Sequence, residues 1–283
     1  MAIVRSRRAS GMAALGRYSA LAVGAVLFLI PFYLLLRSAL MREQDLGSPD
    51  FHWLPPVWET ENLTGLFANP AIPMARSLLN SAIIAVVQTG GVLLVSGLAG
   101  YGLARIPYRW SNAVFYGITA TLLIPAAVTF VPSFVLVSTL GWISTLRGLI
   151  IPGLFQALAT FLFRQFFLSF PKEIEEAAFM DGLGWWGTFW RIVVPNSRGF
   201  AAAIGTITFI GSWNAFLWPL VIGRDQSSWT VQIALSTFLT AQSVQVSQLF
   251  MAALVAIFPL LLMFLFLQRW IVEGVERTGI AGD

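Results

Sequence analysis

Charge is missing from the middle of every long apolar run in this chain. Six such runs, Tyr18 to Leu40, Arg76 to Ala104, Asn112 to Leu140, Arg147 to Phe170, Phe200 to Ile222 and Gln248 to Trp270, exceed the roughly 20 residues a helix needs to cross bilayer hydrocarbon. The 13 Asp and Glu residues all fall between the runs, in the tails or at run ends. Lipid offers backbone N–H and C=O groups no partner, so an open chain crosses it as helices. The sequence therefore predicts an all-α, polytopic membrane protein with six transmembrane helices. Only 11% of residues are charged, against roughly 25% in a soluble domain, so no second, soluble domain is expected. The order is a cytoplasmic arm over 1–17, a membrane domain over 18–270 and a cytoplasmic tail over 271–283.

The basic residues set the orientation. With the arm inside, the inner segments hold Arg5, Arg7, Arg8, Arg17, Arg105, Arg109, Arg164, Lys172, Arg191, Arg198, Arg269 and Arg277, which is 12 of the 17 Lys and Arg. Arg37, Arg42, Arg76, Arg147 and Arg224 fall outside. Basic loops stay in the cytoplasm, so both termini are expected there, in an inner or plasma membrane. The same bias explains the net charge of +4 without a nucleic-acid partner. Arg7-Arg8 lacks the apolar pair of a twin-arginine signal. The first run is longer than a cleaved signal's core and is expected to remain as a span. Trp53 and Trp58, in the acidic segment after it, suit an aromatic belt. His52, between Phe51 and Trp53, reads as an interfacial side chain rather than a metal ligand.

Several chemistries are excluded. There is no cysteine, hence no disulfide or thiol chemistry. The single lysine, Lys172, follows Pro171, so no phosphate-binding loop can be built around it. No catalytic carboxylate pair and no metal-ligand motif appears, and neither enzyme activity nor a metal is expected. Ion-driven carriers usually bury an ionisable residue in a span; its absence here points to an outside source of energy. The polar residues within the runs, Asn80, Gln88, Gln156 and Asn214, either line a hydrophilic path or bond helix to helix. Trp213 and Trp218 either stack on a ring of a passing solute or pack. Gly90, Gly91, Gly97 and Gly100 predict close helix packing in the second run. Pro125 and Pro132 predict a break in the third.

The segment from Lys172 to Pro195 is the longest stretch rich in charge between two apolar runs. Pro171 suits a helix start, and Glu173, Glu175 and Glu176 complement the dipole of its first turns. Ala177 and Ala178 keep one side thin. Gly182 is placed to end the helix in a left-handed cap. A second helical run, about Trp186 to Ile192, is expected to stop at Pro195.

The spacing Glu176-Ala177-Ala178, three residues, Gly182, nine residues, Ile192-Val193-Val194-Pro195 resembles the EAA loop of ABC-importer membrane subunits, with Val194 where that pattern has Leu. Arg164 to Phe167, Trp213 to Leu220 and Gln268 to Gly274 are similar to blocks of carbohydrate-importer permeases of the maltose-transporter type. The resemblance runs from about Pro31 to the end. It implies one permease subunit of an importer for a sugar or sugar derivative, working by alternating access. It implies a second permease subunit, a dimeric ATPase that binds ATP and Mg, an extracytoplasmic solute-binding protein and surrounding lipid. Glu175, Glu176, Ala177, Ala178, Asp181, Gly182, Ile192 and Pro195 are implied as ATPase-coupling residues, with Glu176 pairing with an Arg of the motor. Asn80, Gln88, Trp213 and Asn214 are the candidates for a substrate path. The tail after Trp270 is implied to reach toward the ATPase. Import of glycerol-3-phosphate or a polyol derivative, an autonomous carrier and a membrane scaffold remain as alternatives.

Overall fold

The computed structural model describes the backbone of residues 4–240 and 245–279 and the side chains of 14–239 and 245–268. Most side chains of the arm, all those of the tail, and the signature after Gln268 lie outside the described residues. The described chain is helical, with no strand. In order it runs α1 (Val4–Ala39), α2 (Glu43–Leu46), α3 (Glu61–Ala68), α4 (Met74–Arg105), α5 (Ser111–Ala120), α6 (Ala126–Thr139), α7 (Leu146–Ile150) and α8 (Ala157–Ser169). Then come α9 (Lys172–Met180), α10 (Trp185–Thr188), α11 (Val194–Asn196), α12 (Arg198–Trp213), α13 (Leu217–Ile222), α14 (Val231–Thr240) and α15 (Val246–Gly279).

Three stretches are long and apolar enough to span a bilayer unbroken: Ala14–Ala39, Met74–Arg105 and Val246–Gln268. Two expected spans are bent pairs. Ser111–Leu123 and Ala126–Thr139 meet at 100°, and Leu146–Gly153 and Ala157–Ser169 at 41°. The expected fifth span divides into α12 and α13 at Asn214–Phe216. Of the two prolines in the third run, Pro125 sits at the break as the N-cap of α6, whereas Pro132 lies inside that helix.

The chain forms two compact units. One comprises 1–68 with 238–255, the other 69–237 with 256–283. In the first, Ala39, Met41 and Leu66 are fully buried. Asn62 Nδ2 donates to the carbonyls of Ala39 and Met41 at 3.0 and 2.9 Å, tying α3 to the end of α1. Glu43 caps α15: its carboxylate accepts from the N–H groups of Val246 and Ser247 at 2.8 and 2.9 Å, and from Ser247 Oγ at 2.8 Å. Burial raises the pKa of Glu43, but these hydrogen bonds outweigh it and hold the carboxyl below the ordinary Glu value.

The second unit is built on α4, which packs along α8 and α12. Gly100 is where α4 and α8 approach: a Cβ there would stand 2.6 Å from Phe163 Cβ and 2.9 Å from the Arg164 backbone nitrogen. At Gly97 a Cβ would meet nothing within 4 Å. Val92 and Tyr101 of α4, Ala159, Phe163 and Phe167 of α8, and Ile204 of α12 form one core. Arg164, half-buried, lies across this corner. It donates to Leu103 O and to Asn112 Oδ1, the latter at 3.0 Å, and its guanidinium stacks 3.9 Å from the centre of the Phe115 ring. A second core joins Ile84, Val137, Leu149 and Ile222.

Candidate functional site

The loop after α8 folds as a helical hairpin. Pro171, with φ −58° and ψ 124°, is the N-cap, and α9 begins at Lys172. The helix ends where Gly182 takes φ +83°. Gly182 N–H then donates to Phe179 O and Leu183 N–H to Ala178 O, both at 3.0 Å. This double bond pattern around a left-handed residue is a Schellman cap. The rings of Phe179 and Trp185 meet edge to face at 4.6 Å and close the hairpin.

The returning arm does not stop at Pro195. After α10 the chain widens into a π-helical turn over Phe189–Val193, where Val194 N–H donates to Phe189 O, and Pro195 lies in the first turn of α11. The wide turn accommodates a ring that would clash with the carbonyl four residues back in a regular helix.

The hairpin has two faces. Glu173, Glu176, Ala177 and Met180 recur at i, i+3, i+4 and i+7, one stripe of α9, and all are exposed. Asp181 and Gly182 continue this surface. Met180 is 88% and Trp186 66% exposed. Large apolar side chains bared beside carboxylates mark a contact surface. Met180 was within reach of sequence reasoning, four residues after Glu176. The opposite face is buried. Glu175 and Ala178 are 4% exposed, so neither side chain is open to a partner in this conformation. Ile192 and Pro195 are half-buried. Phe189 and Val193 join the α4–α8–α12 core, with Phe189 5.0 Å from the Tyr101 ring. Glu175 instead faces Arg105, the last residue of α4, at 3.3 Å. Burial pushes the Glu175 carboxyl above the ordinary Glu value, and the positive charges of Arg105 and Lys172 offset this only in part. Arg105 gave no local signal in the sequence, where it was one inner-side basic residue among many.

A cavity of about 520 Å³ opens elsewhere in the second unit. Its polar lining comes from Gln88, Thr129, Ser133, Gln156, Thr208 and Ser212, with Phe130 and Trp218 beside them, and no lining residue is charged. Three helix interruptions converge there. Ala126 starts α6, Gln156 is the N-cap of α8, and Ala215 lies between α12 and α13. Irregular backbone at membrane depth persists where it is buried in protein or lines a wet cavity.

The four path candidates separate. Gln88 lines the cavity, donating to the carbonyls of Leu149 and Ile150 at 2.9 and 3.2 Å and accepting from Ser212 Oγ at 2.6 Å. Asn80 is 6% exposed and donates to the carbonyls of Ser227 and Trp229. Trp213 is 1% exposed and its indole N–H donates to Ala256 O at 3.1 Å. Asn214 accepts from Gln232 Nε2. These three lie outside the cavity lining. Thr208, Ser212 and Ser133 were missed, since a hydroxyl in a span has no distinctive spacing.

Residues 93–277 match the family described as the binding-protein-dependent transport system inner membrane component. The chain belongs to this family. The chain of this permease family is 32% identical over 261 residues to the sn-glycerol-3-phosphate transport system permease protein UgpE of Yersinia pestis, covering 90% of this chain and 93% of that protein. It is 30% identical over 260 residues to the arabinooligosaccharides transport system permease protein AraQ of Bacillus subtilis, covering 91% and 92%. Its fold matches a chain of a bacterial ABC transporter involved in the import of the acidic polysaccharide alginate, with a TM-score of 0.80 at 19% identity over 93% of this chain and 98% of the other. Family, apolar helices and fold agree that this is a multi-pass membrane permease subunit, as the sequence resemblance implied.

Proposed function

We propose that this permease subunit carries a sugar or sugar derivative into the cell by alternating access, driven by ATP hydrolysis on a separate dimeric ATPase. The observation that carries this reading is the two-faced α9 hairpin. Its acidic stripe with Met180 is bare, while its other side is locked into the core of the spans. A loop that is exposed yet rigidly rooted is suited to receive a push and pass it on. Glu176, Ala177, Asp181 and Gly182 form the docking surface, and Ile192 and Pro195 shape the returning arm. A second permease subunit and an extracytoplasmic binding protein complete the importer, and both termini of this chain face the cytoplasm.

The substrate passes the cavity at the three helix breaks, with Gln88 as the path residue. Hydroxyl and amide groups without a charge suit a neutral, hydroxylated solute, in keeping with the cargo named for AraQ. Glycerol-3-phosphate, named for UgpE, is the second reading, favoured by that relative's 32% identity. The test is Glu176→Lys in the assembled complex. It is expected to abolish co-purification of the ATPase and uptake of either radiolabelled arabino-oligosaccharide or glycerol-3-phosphate, whichever the wild type takes up. Retained attachment and retained uptake would refute the reading.

A further inference from the structure

Arg105 ends α4, and its side chain reaches two other elements. Its Nε lies 3.3 Å from Glu175 Oε1 of α9, with both side chains only 5% exposed. Its Nη2 donates to the carbonyl of Phe170, the C-cap of α8. One guanidinium therefore clasps the end of α4, the exit of α8 and the first turns of α9.

Stability alone does not explain a pair of this kind. A buried ion pair is about as stable as, or less stable than, apolar side chains of similar volume, because both charges leave water. The aromatic core already holds α4 to α8 and to the π-helical turn. What the pair adds is a fixed tie to α9 itself, on the face opposite Glu176, Ala177 and Met180.

The other end of the lever is equally specific. Gln88 and Arg105 lie on the same helix, α4, separated by about 25 Å of axial rise. Every other helix lining the cavity belongs to an interrupted pair: α5 with α6, α7 with α8, α12 with α13. Both α8 and α12 also run from the cavity to the hairpin, but the chain itself joins them to it; α4 has no such join and reaches α9 through the side chain of Arg105.

Building on the coupling role proposed above, we propose that Arg105 and Glu175 are positioning residues that make α4 move with α9, so that displacement of the hairpin reaches the cavity. The chain contains no cysteine, which permits a clean test. A Ser133→Cys reporter in the cavity lining is placed in the complete complex with cysteine-free partners. Its rate of labelling by the membrane-impermeant thiol reagent MTSES is measured without nucleotide and with ATP plus vanadate. The variants are Glu175→Gln and the double substitution Arg105→Met with Glu175→Leu, which leaves no unpaired buried charge.

The double variant is expected to keep the ATPase attached and hydrolysing ATP, while the nucleotide-dependent change in labelling rate falls by about tenfold, within the usual range of coupling between sites. Glu175→Gln is expected to lose it to a similar degree. An unchanged nucleotide response in the double variant overturns the proposal and leaves the pair as a fold staple. Loss of ATPase attachment, or failure of the double variant to accumulate in the membrane, overturns it as well. Glu176→Lys in the same pull-down separates the two claims. If that variant keeps the ATPase bound, the docking reading is what fails.

Discussion

Gly100→Ala is the sharpest probe of how α4 and α8 are joined. The added Cβ would sit 2.6 Å from Phe163 Cβ, 2.9 Å from the Arg164 nitrogen and 3.1 Å from the Phe163 carbonyl carbon. None of these atoms can rotate away. Restoring a carbon contact of about 3.5 Å requires the helices to part by roughly 1 Å. Overpacking of this kind costs about 1–3 kcal/mol. Alanine also gains about 1 kcal/mol over glycine within a helix, so the raw effect is partly hidden. Gly97→Ala removes that ambiguity, because it lies on the same helix and meets nothing within 4 Å. Both variants share the helix gain, and only Gly100→Ala carries the packing cost. Thermal unfolding of the purified protein in one detergent should separate them by on the order of 5 °C, Gly100→Ala being the lower. Equal melting temperatures would refute the close approach of α4 and α8 as the constraint at Gly100.

Glu43→Gln should weaken the start of α15 by about 1–2 kcal/mol, as loss of a charged helix cap does. The folded-state pKa of Glu43 lies below its ordinary value of 4.5, so its contribution is fully present above that value and fades as pH falls through the folded pKa. The melting difference between wild type and Glu43→Gln should therefore shrink in acid, and a difference independent of pH would contradict the cap. Trp213→Phe removes the indole bond to Ala256 O and should cost about 1 kcal/mol in a melting experiment. Uptake per assembled complex should stay at the wild-type level, and a selective loss of uptake would return Trp213 to the substrate path.

The membrane helices were legible because hydropathy acts locally: each of the six apolar runs produced helical structure where expected. Their interruptions were not. Pro125 and Pro132 look alike in sequence, yet one stands at a 100° bend and the other lies within α6. Which proline breaks a span depends on what neighbouring helices supply to the freed carbonyls, and that is tertiary information. The breaks near Gln156 and Asn214 do have prolines beside them, Pro152 in the tight turn before α8 and Pro219 in the first turn of α13, yet neither proline stands at the break itself. In the hairpin, Gly182 was readable, since a left-handed cap has few alternatives to glycine. Glu175 was grouped with Glu176 because both are acidic and adjacent, but one residue turns a helix by about 100°, enough to send one side chain inward and the other out. Its partner lies 70 positions earlier, beyond any local pattern.

The interrupted helices have a consequence for how such chains diversify. Where the spiral of main-chain bonds stops, peptide groups themselves present polarity to whatever passes, and a peptide group is the same whatever residue carries it. A passage surfaced in part by peptide groups keeps its hydrophilic character while the few side chains around it are exchanged. On the path proposed above, new cargo would then be accommodated at a handful of lining positions such as Ser133, Thr208 and Ser212, with the scaffold of bends left intact.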